Sequence, residues 1–375
     1  MVLTADRILT GEHDLIGAAV VIEGDRIVDV ISSSNVESSL HLPGWLIPGF
    51  VDLHVHGGGG GSFNDPDGAV RAINFHRAHG STSMAASLVS SSMEELETTI
   101  PYLKQMVTHG ELIAVHLEGP FLSRNRAGAQ RSEVLIEPQL RDVERLQELI
   151  ATTPAIITIA PELDEAIETI RVLSNADWLV ALGHSDATFA EALVGVNSGA
   201  RLVTHLFNGM RPMHHRDPGL AELALLDPRM TVELILDGQH ISATAVEISM
   251  RLAERRWIAV TDAIAAAGMG DGFDSLGSLQ VQVRDGVARL SGTNTLAGST
   301  LTMDEAFSRL LTTYEVDPLE AVRGTSTRAA EVIGRGDIGR ITAGAFADLL
   351  HWKPNGGLQA VMRRGTWLGK AAAKL

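Results

Sequence analysis

The sequence contains no cysteine, which rules out disulfides and leaves histidine and the carboxylates as side-chain metal ligands. Lysine is scarce as well, with Lys104, Lys353, Lys370 and Lys374 the whole set. Basic residues number 30 against 46 acidic ones, a net charge of −16. That balance disfavours nucleic acid and anionic membrane surfaces as partners, so an anionic substrate has to be met by local cations. No apolar run approaches the roughly 18 residues a bilayer-spanning helix needs. The opening stretch, M-V-L-T-A-D-R-I-L-T, lacks the basic-then-apolar layout of a signal peptide, and the expected residence is cytoplasmic.

What is present is ordinary for an enzyme: 45% hydrophobic and 20% charged residues. A chain of 375 residues suits one large barrel with an accessory unit. Short Val/Ile-rich runs at 15–22 and 26–31 flank a G-D turn and read as a hairpin. The same texture returns at 346–352 and 358–362, so the two ends are expected to pair into one β unit. Between them lie eight candidate core strands, at 50–56, 83–88, 113–117, 155–160, 178–182, 201–204, 231–236 and 257–261. Helical patterns intervene, for example at 139–152, 164–175, 187–197 and 242–255. Eight strand–helix alternations predict a (β/α)₈ TIM barrel over 48–335, with a small β-sandwich from 1–47 and 336–375. An open doubly wound sheet would need G-x-G-x-x-G after its first strand, and here the glycines at 57–61 run into S-F-N-D-P.

The chemistry gathers at the expected carboxyl ends of these strands, where barrel active sites lie. V-D-L-H-V-H-G places Asp52, His54 and His56 on one face of an extended strand, the two imidazoles about 7 Å apart. H-x-H alone suits a pair of satisfied histidines as well as a metal site. Further along, however, Glu118 follows strand three in H-L-E-G-P, His184 strand five in L-G-H-S-D, His205 strand six in T-H-L-F-N, and Asp262 strand eight in V-T-D-A. Four histidines and two carboxylates on one rim point to a hydrolytic metal centre. Such donors bind Zn²⁺ or Fe²⁺ and lower the pKa of a bound water. Asp262 can move a proton from that water to a leaving group. No lysine stands at a strand end to be carbamylated, so either Glu118 bridges two metals or a single metal binds.

The motifs I-P-G-F-V-D-L-H-V-H-G, H-L-E-G-P-F, T-H-L-F-N-G-M, R-D-P-G-L, D-G-Q-H and L-A-G-S-T-L-T-M occur in that order. The chain thereby resembles the N-acetylglucosamine-6-phosphate deacetylase family of the amidohydrolase superfamily. The resemblance implies metal-dependent hydrolysis of N-acetyl-D-glucosamine 6-phosphate to D-glucosamine 6-phosphate and acetate. It also implies one or two divalent metals per subunit, Zn first, with Fe, Co, Mn or Cd as alternatives. By the same likeness Glu118, His184 and His205 are metal ligands, His54 and His56 serve a second metal, and Asp262 is the catalytic acid–base. Ala129, Asn208, Gly209, His240 and Leu296, Ala297 and Gly298 correspond to substrate contacts. Arg216 corresponds to a phosphate-binding arginine supplied across a homodimer interface. One position departs from the pattern: where the family's loop ends G-[AT]-H, this chain has Gln130, which can donate a hydrogen bond but carries no charge. Deacetylation of a related amino-sugar phosphate and a non-catalytic metal-binding barrel are the two alternatives.

Overall fold

The computed structural model describes residues 1–369. Eight strands form one sheet in strict chain order. They are β1 Phe50–Asp52, β2 Ser81–Leu88, β3 Ala114–Glu118, β4 Ala155–Ile159, β5 Leu179–Leu182, β6 Leu202–Val203, β7 Thr231–Ile235 and β8 Trp257–Val260. All pairs from β2 to β8 are parallel. A helix follows every strand, beginning with Pro66–Ala78 and ending with Met303–Thr312. The ring is completed at its carboxyl rim, where Asp262 N donates to His54 O and His56 N to Ala263 O, each at 2.8 Å. This is the expected (β/α)₈ barrel.

The strands are covered on both faces, as parallel strands must be, and β2, β3 and β4 are buried along their whole length. The helices form where apolar side chains recur every three or four residues. Leu140–Ile150 turns Val143, Leu146 and Ile150 inward. Ser92 with Glu95, and Thr188 with Glu191, close capping boxes on the helices after β2 and β5.

Contacts divide the described residues into two compact units: residues 1–52, 74–83 and 302–369, and residues 53–73 with 84–301. The first contains an eight-stranded sheet built from both ends of the chain. Val2–Leu9 runs parallel to Leu40–Pro48, which pairs antiparallel with Leu349–Lys353. The expected hairpin is Ala18–Glu23 with Arg26–Ser32. Leu3, Ile8, Val20, Ile27, Leu46, Leu349 and Met362 form the sandwich core. Residues 370–375 of the expected 336–375 segment lie outside the described residues.

Two features differ from the sequence reading. Strand β1 ends at Asp52, so His54 and His56 follow it in irregular backbone rather than standing within it. A three-stranded antiparallel sheet, Gly272–Leu276, Leu279–Arg284 and Val287–Leu290, intervenes between β8 and the last barrel helix. Its alternating pattern buries Val281, Val283 and Ala288 against Ile264 and Ala297. No helix of the described residues is long and apolar enough to cross a membrane.

Candidate active site

The six rim residues converge as two adjoining donor sets, all buried: His54, His56 and Asp262, and Glu118, His184 and His205. In the first set His54 Nε2 lies 3.1 Å from His56 Nε2, and Asp262 Oδ1 lies 3.4 and 3.2 Å from them. In the second, Glu118 Oε1 lies 3.1 Å from His184 Nε2 and 2.9 Å from His205 Nε2. The two imidazole nitrogens there are 3.1 Å apart. Glu118 also reaches the first set, with Oε2 3.4 Å from His56 Nε2. Its carboxylate therefore lies between both.

Local backbone aims these groups. His184, His205 and Asp262 all have positive φ, 45°, 29° and 49°, and each stands two residues beyond the end of its strand. At His184 and His205 that strained geometry swings the side chain inward where a continued strand would alternate it outward, since Thr158 and Thr204 already point inward. The orientation of three of the four rings is then fixed from behind, while His205 Nδ1 finds no hydrogen-bond partner among the described residues. His56 Nδ1 donates to Ser87 O at 3.1 Å, His184 Nδ1 to Arg126 O at 2.8 Å, and His54 Nδ1 to Glu233 Oε2 at 3.1 Å. With Nδ1 protonated, Nε2 is the free donor atom in each. Gly209, with φ of 59°, leaves room for His184, since a Cβ there would lie 2.7 Å from Nδ1. Burial alone would push Glu118 and Asp262 up, but the imidazoles, His54 first, draw Glu118 well below the usual carboxylate range and Asp262 to about 2. The reciprocal pull overcomes burial and lifts His54 to about 10 and His56 to about 9. Nitrogen faces nitrogen at 3.1 Å among ionised carboxylates, an arrangement that calls for a cation at its centre. For metal–ligand bonds of about 2.0–2.1 Å, donors at tetrahedral corners stand about 3.4 Å apart, close to the separations seen. The residues fit divalent ions.

A cavity of about 330 Å³ opens over these sets. Of the expected substrate contacts, Ala129, Gln130, Asn208, Gly209, His240, Leu296 and Gly298 line it. Ala297 does not: it is fully buried in the cluster with Val89, Ile264 and Leu276. Arg216 is exposed and outside this lining, its guanidinium 2.8 Å from His215 Nε2. Gln130 is tied down at both ends. Its Oε1 accepts from Ser90 N at 2.8 Å and its Nε2 donates to Glu118 Oε2 at 2.5 Å, so its amide serves the carboxylate. Burial works against a charged His240, yet Asp237 Oδ2, 2.7 Å from Nδ1, raises it above the usual imidazole value.

His116, on the same face as Glu118, stays out of both sets. Ser87 Oγ and Thr158 Oγ1 hold its two nitrogens at 2.9 and 3.0 Å, and burial keeps it neutral, well below its usual pKa. Glu233 escapes the sequence reading altogether. Its signal is there, however: a lone carboxylate inside the apolar strand T-V-E-L-I-L needs a buried partner.

Fold and donor sets together define a barrel enzyme of the metal-dependent hydrolase class. The chain belongs to the amidohydrolase family, whose model matches residues 45–368. An N-acetylglucosamine-6-phosphate deacetylase of Lysinibacillus sphaericus is 34% identical over 313 residues, covering 81% of this chain and 80% of that one. An N-acetylgalactosamine-6-phosphate deacetylase of Escherichia coli O157:H7 is 32% identical over 362 residues, covering 93% and 94%. Among solved structures, a mutant N-acetyl-D-glucosamine-6-phosphate deacetylase from Mycobacterium smegmatis, in complex with N-acetyl-D-glucosamine-6-phosphate, superposes with a TM-score of 0.94 at 38% identity. The match covers 98% of each chain.

Proposed function

We propose that this enzyme hydrolyses the acetamide of N-acetyl-D-glucosamine 6-phosphate, giving D-glucosamine 6-phosphate and acetate. The observation that carries the reading is the convergence of six donors, from positions 54 to 262, on two cation-sized centres beneath one cavity. Relatives that act on such a sugar phosphate across most of the chain support the substrate.

Glu118, His184 and His205 would hold one divalent ion and His54, His56 and Asp262 a second, with Zn²⁺ the best match to an imidazole–carboxylate set without thiolates. Bound there, the metal supplies Lewis acidity for the amide carbonyl and a water acidic enough to ionise near neutrality. The protein does the rest. Asp262 is ionised and its side chain is 10% exposed, the most open of the six, so it is placed to take the proton of the attacking water and return it to the departing amine. Gln130 holds Glu118 in position. Ala129, Asn208, Gly209, Leu296 and Gly298 shape the sugar pocket, and Ala297 supports it from behind. His240, its pKa raised by Asp237, would face the anionic end of the substrate. Among the described residues no lysine or arginine lines the cavity, which supports a homodimer in which the exposed Arg216 serves the neighbouring subunit's phosphate. A sugar phosphate does not cross a bilayer unaided, in keeping with a cytoplasmic enzyme. In this reading 48–335 is the catalytic barrel, and 1–47 with 336–375 the accessory domain.

The relative acting on the galactosamine epimer covers more of this chain than the first, and it favours N-acetylgalactosamine 6-phosphate as a second substrate. Acetate release from both phosphorylated sugars and their unphosphorylated forms tests the reading. Turnover should need the phosphate, disappear on chelation and return with Zn²⁺. Activity that survives exhaustive metal removal would refute it.

A further inference from the structure

Strand β7 is apolar along its buried length except at Glu233, whose side chain is 1% exposed. A carboxylate in that position is expensive unless its charge is answered. Its Oε2 accepts twice at 3.1 Å, from His54 Nδ1 and from the backbone N–H of His205. His54 belongs to one donor set and His205 to the other, so a single oxygen restrains one ligand of each. The grip on His205 falls where the backbone is bent to a φ of 29°, a geometry that aims its imidazole inward. Oε1 finds no hydrogen-bond partner among the described residues.

The charge sum points the same way. Glu118, Asp262 and Glu233 bring three carboxylates into one buried pocket, where an imidazole that ligates a metal does so in its neutral form. One divalent ion leaves one negative charge unanswered. Two leave one positive charge facing the cavity, where a carbonyl oxygen has to be polarised.

We propose that Glu233 is a positioning residue that commits this centre to two divalent ions. Its charge and its hold on His54 and His205 make the His54–His56–Asp262 set fill beside the other. The inference rests on the reading of the two donor sets as metal sites. It also separates two roles within them: the set containing Glu118 binds without Glu233, whereas the set containing Asp262 depends on it.

Glu233→Gln tests this, since it keeps the shape and an acceptor oxygen and removes the charge. Zinc per chain is measured by mass spectrometry after equilibration, and each affinity by competition with a chromophoric chelator. The wild type should bind two equivalents. The variant should keep the tighter ion within a few-fold and weaken the other by about 10–100-fold, the usual effect of removing a group behind a metal ligand. Glu233→Asp, which keeps the charge with a shorter reach, should fall between. Two ions bound to Glu233→Gln with wild-type affinity would overturn the proposal, and so would equal loss of both. Failure of both variants to melt cooperatively would assign Glu233 a purely architectural role and overturn it too. A wild type that binds a single equivalent sinks this inference alone, whereas one that binds no divalent ion sinks the functional reading beneath it.

Discussion

Replacing Gly209 with alanine adds one methyl group behind a metal ligand, and its consequences can be worked from the geometry. The new Cβ would stand 2.7 Å from His184 Nδ1 and 3.1 Å from Cε1, where ordinary contact begins at 3.4 Å. The imidazole must therefore retreat by about 0.7 Å (3.4 − 2.7). It cannot do so freely, because Nδ1 is bonded to Arg126 O and Nε2 sits 3.1 Å from Glu118 Oε1. A shift approaching 1 Å in a catalytic group costs on the order of 10²-fold in rate, and disturbing a ligand's support costs 10–100-fold in metal affinity. The φ of 59° adds about 1–2 kcal/mol of strain for any residue with a Cβ. Gly270→Ala separates the two effects, because Gly270 has a similar φ of 78° and nothing within 4 Å of a Cβ. Both variants should lose thermal stability. Gly209→Ala alone should lose zinc from the Glu118 set and about 10²-fold in kcat/KM. Wild-type metal content and turnover in Gly209→Ala would refute the placement of His184 as a ligand.

Asp262→Asn should lower kcat by about 10²–10⁴-fold, the range for a removed acid–base group, while substrate still protects the fold against heating. Wild-type turnover in that variant would move the proton transfer elsewhere. The pH dependence of KM should report His240. Its pKa is raised in the fold, so its stabilising charge is fully present below the ordinary imidazole value of 6.5 and is lost as pH climbs through the folded one. Asp237 is depressed, so its contribution is present above 3.8 and lost as pH falls. The ion pair is whole between these limits, and KM for the phosphorylated sugar should rise on the alkaline side only. In Asp237→Asn that rise should begin at lower pH, and a profile unchanged by the substitution would remove His240 from phosphate binding.

What the sequence determined by itself was everything that depends on near neighbours. Strand alternation has a period of two and helix packing a period near 3.6, so the eight strand–helix pairs and the terminal hairpin could be read directly. The positions of His184, His205 and Asp262 just past their strands followed from the same counting. Tertiary structure alone decided what those residues do to one another. Closure of the ring, through Asp262 N on His54 O, joins residues over 200 positions apart and completes a donor set no local pattern contains. Positive φ beyond the strand ends, rather than strand parity, aims His184 and His205. Gln130 turned out to serve Glu118, Ala297 is packed beneath the pocket, and Arg216 stands away from its own cavity. Glu233 makes the division plain: its lone charge was visible in the strand, but its partners were not. Periodicity propagates along the chain, whereas hydrogen bonds and metal-ligand geometry are settled only when distant segments meet.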